Sequence, residues 1–348
     1  MSDELEINGT EIRPGSRQTL GVPIPSLNTN TSLTMPVHVI RGKKEGARLM
    51  ICAAIHGDEL NGVEIIRRIL NLRTLARLRG TLIAVPVVNV YGLLEYSRYL
   101  PDRRDLNRRF PGSVKGSMAS RLAKVFMDEI VLKSTHGIDL HSGSMHRSNL
   151  PQIRGDLTHE ETHTLARTFG APVTVHSTIR DGSLREAAAD KGIPMLLYEA
   201  GQALRFDEMA IRVGVRGVVN VLRELDMLPR SRNQGSKTGT IVTRSSRWVR
   251  ASESGMLWGM KPLGDTVHLN EVLGEIHDPF GTENTEILSP LDGIIIGRTE
   301  MPLVHEGEAL FHIASYKDID GAAHQIENFQ EYYVAGDEPG LDIEQMLD

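Results

Sequence analysis

Cysteine is nearly absent: Cys52 is the single one in 348 residues. No intrachain disulfide can form, and a reducing compartment suits the chain. Long apolar runs are absent too. The longest strongly apolar stretch, Leu82–Val90, is broken by Pro86 and Asn89, far short of the ~20 residues that span a bilayer. Positive charge is in deficit, with 39 Lys+Arg against 45 Asp+Glu and a net charge of −6. This argues against an overall electrostatic grip on nucleic acid or an anionic membrane. The first six residues, MSDELE, are acidic where a secretory signal would be basic and then apolar. A cytoplasmic protein is the expectation. Three motif classes are missing as well. There is no Gly-x-Ser-x-Gly, since Gly112–Gly116 carries its serine in the wrong place, and neither Gly-x-Gly-x-x-Gly nor a Walker-type loop occurs.

What is present has globular proportions, 40% hydrophobic and 24% charged. The length is ~2.3 typical domains, which suggests one large domain and a small one. From Val37 to about Leu228, short apolar runs alternate with longer amphipathic stretches. Leu49–Ile55 and Leu82–Val88 are nearly continuous apolar segments, suited to strands buried on both faces. Val63, Ile66, Ile69 and Leu70 recur at helical spacing, as do Leu122, Val125, Phe126 and Ile130. Thr158–Glu161 reads as a capping box, with Gly170 placed to stop the helix it starts. Met209 to Leu225 marks another helix, and Val173–Val175 and Pro194–Tyr198 read as strands. Residues 1–239 are therefore expected to form an α/β domain, a mixed, mostly parallel sheet with helices on both faces.

After a polar link, Arg230–Gly239, the texture changes. Residues 240–314 offer short strand candidates broken by Gly, Pro and Asp, without a helical stripe. Asn270–Ile276 echoes Gly307–Ile313, as two similar halves of a small all-β unit would. The tail, 315–348, carries no assignment.

The sharpest chemical feature is His56-Gly-Asp-Glu59, directly after the apolar run ending at Ile55. A His and a Glu three apart, where a strand gives way to a helix, can turn toward one point. Alone, the pair also suits an ordinary surface or capping role. A second candidate strand, Gly137–Leu140, runs straight into His141. Strand carboxyl ends are where open α/β sheets place ligand crevices, and two His plus one carboxylate make a zinc site with a fourth position open. Asp105–Gly112 holds Asn107 and Arg108, a pair able to grip a carboxylate; a solvated basic loop explains the same residues. Glu199 ends another apolar strand, where a general base beside an activated water would stand. His136 and His146 flank His141, His159 and His163 share a helix face, and Cys52 reads as a small core residue.

These four pieces, in this order, resemble the succinylglutamate desuccinylase/aspartoacylase family of zinc-carboxypeptidase-like hydrolases, over roughly Val37 to Leu228. The resemblance implies that His56, Glu59 and His141 hold one zinc per chain, that Glu199 is the catalytic carboxylate, and that Asn107 and Arg108 bind a substrate carboxylate. It implies a further substrate arginine, with Arg98 the nearest counterpart and Arg103 and Arg104 as competitors. The activity implied is hydrolysis of the amide bond of a small N-acyl amino acid. A peptide-cutting zinc carboxypeptidase is the close alternative, and a non-catalytic binding or carrier protein the distant one. Residues 240–314 resemble the barrel-sandwich fold of lipoyl and biotinyl domains but lack a lysine at the hairpin position, since Lys261 belongs to another turn. A wall over the active site or an assembly surface, rather than a swinging arm, is the expectation there, and the chain as a whole is compatible with a homo-oligomer.

Overall fold

The computed structural model describes residues 4–178, 180–230 and 239–334; most of the Arg230–Gly239 link lies outside them. A thirteen-stranded mixed sheet organises the molecule. At its centre Arg48–Ala53 lies between Thr81–Val85 and His136–Gly143, all parallel, and Met195–Gln202 continues the parallel run. Antiparallel strands flank this centre. Leu33–Arg41 and Arg17–Ile24 close one side, and Arg147–Gly155 pairs with Met195–Gln202 on the other.

Strand periodicity puts helices on both faces. Leu49, Ile51 and Ala53 enter one core with the helices Asn61–Leu70, Glu160–Phe169 and Glu208–Glu224. Met50 and Cys52, from the same strand, enter the other with Met118–Glu129 and Leu184–Ala189. Gly170 ends its helix at φ +82°, the left-handed cap expected of it. The Thr158 capping box does not form. The helix starts later, with His159 at its N-cap and no side-chain cap. Asp156 takes the Thr158 hydroxyl at 2.6 Å instead, the local competition that Asx residues offer.

The C-terminal strands do not stand apart. Ile241–Thr243 pairs in parallel with Val173–His176, so the first strand after the link extends the large sheet. Gly293–Thr299 pairs with the start of Arg147–Gly155, and Ala309–Ser315 and Ser246–Arg250 follow it. A separate four-stranded sheet holds Gly255–Trp258, Val272–His277, Asn284–Leu288 and Leu303–Val304. The two copies of the sequence echo thus supply one strand to each sheet, Val272–His277 and Ala309–Ser315, around a core that includes Leu273, Ile276, Leu310 and Ile313. The tail opens with a helix, Ile319–Val334. Its Ala322 and Ile326 pack on the C-terminal strands, and its Phe329 and Tyr333 join the core around Asn61–Leu70 and Glu208–Glu224.

The turn that carries His56 is tightly built. Ala54 adopts φ +51°, a left-handed conformation that costs a non-glycine residue ~1 kcal/mol. A Cβ on Gly57 would lie 2.0 Å from the Gly92 carbonyl carbon and 2.2 Å from Leu93 N. Those are backbone atoms with no rotamer to change. Gly57→Ala should therefore cost about 1–3 kcal/mol of unfolding free energy, and an unchanged thermal midpoint would show that this backbone yields.

Candidate metal centre and its cavity

Three neighbouring strands present their side chains to one cavity in register. Asp139 pairs with Leu197 and His141 with Glu199 across parallel strands, and Leu197 faces Arg154 across the antiparallel one. Alternation puts all five on one face. His56 and Glu59 arrive from the loop after Arg48–Ala53, also at strand carboxyl ends.

Glu59 lies between two imidazoles. His56 Nδ1 is 2.8 Å from its Oε1 and His141 Nδ1 is 2.7 Å from its Oε2. The Ser142 N–H donates to the same Oε2 at 3.1 Å. The far nitrogens are taken as well. His56 Nε2 is 3.1 Å from Asp105 Oδ1, and His141 Nε2 is 2.8 Å from Asp139 Oδ2. Each imidazole thus has a carboxylate oxygen at both nitrogens, and the Arg98 Nη1 also lies 3.2 Å from His56 Nδ1. Burial lowers the pKa of both histidines, but their carboxylate partners outweigh it and raise both. Burial would raise Glu59, yet the two imidazoles hold it below the usual carboxylate range. The pocket is thus shaped for positive charge at the two Nδ1 positions. His56, Glu59 and His141 offer ligand atoms within 4.8 Å of one another, and the carboxylates behind each imidazole fix the tautomer a metal would need.

The other expected residues also reach this place. Glu199 accepts from Asn149 Nδ2 at 2.8 Å, and burial pushes its carboxyl above the usual range. Asn107 Oδ1 accepts from Leu184 N at 2.9 Å, which leaves its Nδ2 as the donor to the cavity. Arg108 lines the cavity and donates to the Asn107 carbonyl at 2.6 Å. Arg98 lines it too, but Asp105 Oδ2 occupies its fork at 2.9 and 3.3 Å and Glu59 Oε1 lies 3.4 Å from its Nη1. It anchors the carboxylate behind His56. Arg103 and Arg104 are exposed outside the cavity, with Arg104 beside Asp102 at 3.7 Å. His136 and His146 do not line it either, and His136 bonds Glu161 at 2.9 Å.

The sequence reading left out several contributors. Asp139 stands two residues before His141, a spacing that puts both on one strand face, and this was the available signal. Cys52 donates its thiol to Asp139 at 3.4 Å; burial and then Asp139 push that thiol up, so it stays protonated. The cavity, about 330 Å³, also takes Trp248, Arg250, Ala309 and His312 from the C-terminal segment. Trp248 and His312 stack at 4.5 Å and 9°, with the Arg147 guanidinium 5.4 Å from the indole.

The family profile of the succinylglutamate desuccinylase/aspartoacylase catalytic domain matches residues 45–225, just over half of the chain. The chain belongs to this family. Within it, the chain is 24% identical over 295 residues to the N-α-acetyl-L-2,4-diaminobutyric acid deacetylase of Halomonas elongata, covering 81% of this chain and 86% of that protein. In three dimensions it is similar to a succinylglutamate desuccinylase/aspartoacylase from Rhodobacter sphaeroides, with 25% identity, a TM-score of 0.78, and 87% and 97% of the two chains covered. The product-bound ectoine utilization protein of Ruegeria pomeroyi shares the fold at 22% identity and a TM-score of 0.79, with 88% and 97% covered. Such coverage reaches well past residue 225, so the C-terminal strands are part of the shared architecture. Among the described residues no helix is long and apolar enough to cross a membrane.

Asp139 gives this geometry a direct check. Asp139→Asn keeps the shape but removes the charge behind His141, and should weaken the binding of an added divalent metal ion at this cluster by roughly 10–100-fold in a chelator competition. Wild-type affinity in that variant would mean that Asp139 does not orient His141.

Proposed function

We propose that this family member hydrolyses the amide bond of N-acyl amino acids with one zinc ion held by His56, Glu59 and His141. The observation that carries the reading is the buried Glu59 between two carboxylate-backed imidazoles, with Glu199 in register beside His141. The donor set suits zinc. Two imidazole nitrogens and one carboxylate leave a fourth position for water or substrate, and an all-oxygen Ca²⁺ or Mg²⁺ site would not use two histidines. When bound, the ion supplies Lewis acidity, polarising the acyl carbonyl and acidifying a water.

The remaining work falls to side chains of this chain. Glu199, with its raised pKa and Asn149 fixing one oxygen, accepts a proton from the attacking water and delivers it to the departing amine. Arg108 and the Asn107 Nδ2 grip the α-carboxylate and set the scissile carbonyl in place. Residues 240–314 act as a wall of the cavity rather than a carrier arm: Trp248 and His312 face the substrate, and Lys261 is salt-bridged to Glu271. The names of the relatives supply the substrate class, with an acetylated diaminobutyrate in Halomonas elongata and succinylglutamate and acylated aspartate in the family's description.

Three measurements test this. Elemental analysis should find about one zinc per chain, lost in His141→Ala; the same zinc content in that variant would rule out the ligand set. Glu199→Gln should lower turnover by ~10²–10⁴ with zinc retained, and near-normal turnover would move the base elsewhere. Wild type should also prefer a free α-carboxylate over the matching α-amide by ~30-fold or more, the range for one charged contact. Arg108→Ala should bring the acid down toward the amide. Equal cleavage of both by wild type would return Arg108 to the status of a solvated loop residue.

A further inference from the structure

A second cleft opens at the other end of the sheet. Its lining includes Gly42, Lys43 and Lys44, which lead into Arg48–Ala53, and Leu78 and Arg79, which lead into Thr81–Val85. It therefore lies at the amino ends of the central parallel strands. The catalytic cavity stands at their carboxyl ends, so a six-residue strand, roughly 20 Å long, separates the two. The cleft measures about 850 Å³ against about 330 Å³ for the cavity. That is room for a ligand larger than an N-acyl amino acid.

The lining sorts by chemistry. Ile40, Leu72, Leu75 and Leu78, each nearly buried, form an apolar floor. Seven lysines and arginines stand around it, and no carboxylate lines it. Three of the seven have partners. Arg17 donates to the Leu70 carbonyl and, at 2.8 Å, to His38 Nε2; Arg41 donates to the Ile12 carbonyl at 2.7 Å, and Arg73 is engaged too. Lys43, Lys44, Arg77 and Arg79 are exposed, and among the described residues none of them makes an ion pair or a side-chain hydrogen bond. Glu4, Glu11 and Glu45 belong to an adjoining hollow that shares Lys43 and Lys44, yet none of them pairs with either lysine.

Hydrogen bonds between four segments fix the backbone beneath these cations. Arg41 N donates to the Ser16 carbonyl at 2.9 Å, Gly42 N to Gly80 at 2.8 Å, Gly80 N to Lys44 at 2.9 Å and Arg79 N to Met227 at 2.9 Å. The crossing is close: a Cβ on Gly42 would lie 2.1 Å from the Leu78 carbonyl oxygen. The free charges thus project from a rigid frame, which lowers the ordering cost of binding.

We propose that this cleft binds an organic polyphosphate, a molecule with a compact body and two or more phosphates, of the class to which nucleoside triphosphates belong. Four free cations suit several phosphate oxygens, which take charge-assisted bonds from lysine and arginine. The apolar floor suits the body. A single carboxylate would leave most of the charge unanswered. A long nucleic acid fits less well, because the site is concave and the chain as a whole carries a net charge of −6. The proposal is independent of the deacylase reading.

Calorimetry on the full-length protein tests it, with ATP, tripolyphosphate, adenosine and a short DNA duplex as probes. ATP should bind once per chain, at least ~10-fold tighter than tripolyphosphate or adenosine, since each of these matches only one part of the cleft. The double variants Lys43→Gln/Lys44→Gln and Arg77→Gln/Arg79→Gln should each weaken ATP by roughly 10-fold with the thermal midpoint retained. Arg154→Gln, which changes the catalytic cavity instead, should bind ATP as wild type does. No ATP binding, or binding lost in Arg154→Gln and unchanged in both double variants, would overturn the cleft as the site. Equal affinity for ATP and tripolyphosphate would overturn the ligand class and leave a bare anion site. A duplex bound more tightly than ATP would overturn it in favour of a nucleic-acid surface.

Discussion

The site depends on one buried carboxylate. Glu59 has almost no access to water, and a carboxylate there survives only if neighbouring groups replace its hydration. Two imidazoles and the Ser142 N–H do so. Each imidazole in turn needs an acceptor on its far side, which brings in Asp139 and Asp105. Asp105 then requires Arg98, and Asp139 takes the Cys52 thiol. The chain of obligations spreads from one oxygen pair to four segments of sequence, and a gap in it would leave a charge buried without a partner.

How far this was legible varies with the kind of signal. His56, Glu59, His141 and Glu199 could be found because each follows or ends an apolar run, and strands buried on both faces leave a plain mark in sequence. The α/β alternation was legible for the same reason. Arg147–Gly155 was not: its residues, RSNLPQIRG, include five polar side chains and a proline, and it is a strand because it joins two halves of a sheet. Arg98 was named from its place in the sequence and does reach the cavity, but its pairing with Asp105 was not legible, since a guanidinium that reaches a site says nothing of which carboxylates it meets there. Trp248 and His312 come from a segment with its own fold signals, and nothing local announces that they face a cavity built mostly by residues before 200. The helix Ile319–Val334 has apolar residues at helical spacing, but the surface they fit is assembled from distant elements.

The electrostatics run against the composition. A chain with net charge −6 gathers seven arginines around one cavity of about 330 Å³. Such an arrangement focuses positive potential where ligands enter and repels cations from the same mouth. Charge totals therefore describe what the outer surface does in solution, and the chemistry of the cavity is set by a local imbalance of the opposite sign.

The pairing of Ile241–Thr243 with Val173–His176, and of Gly293–Thr299 with Arg147–Gly155, has a consequence for how the molecule comes apart. The hydrogen-bond ladder crosses between the two regions twice, and the Ile319–Val334 helix buries side chains in the cores of both. Neither region can melt without exposing the other's strand edge. The two should thus unfold together as one cooperative unit, and the wall carrying Trp248 and His312 keeps a fixed distance from the strands it faces.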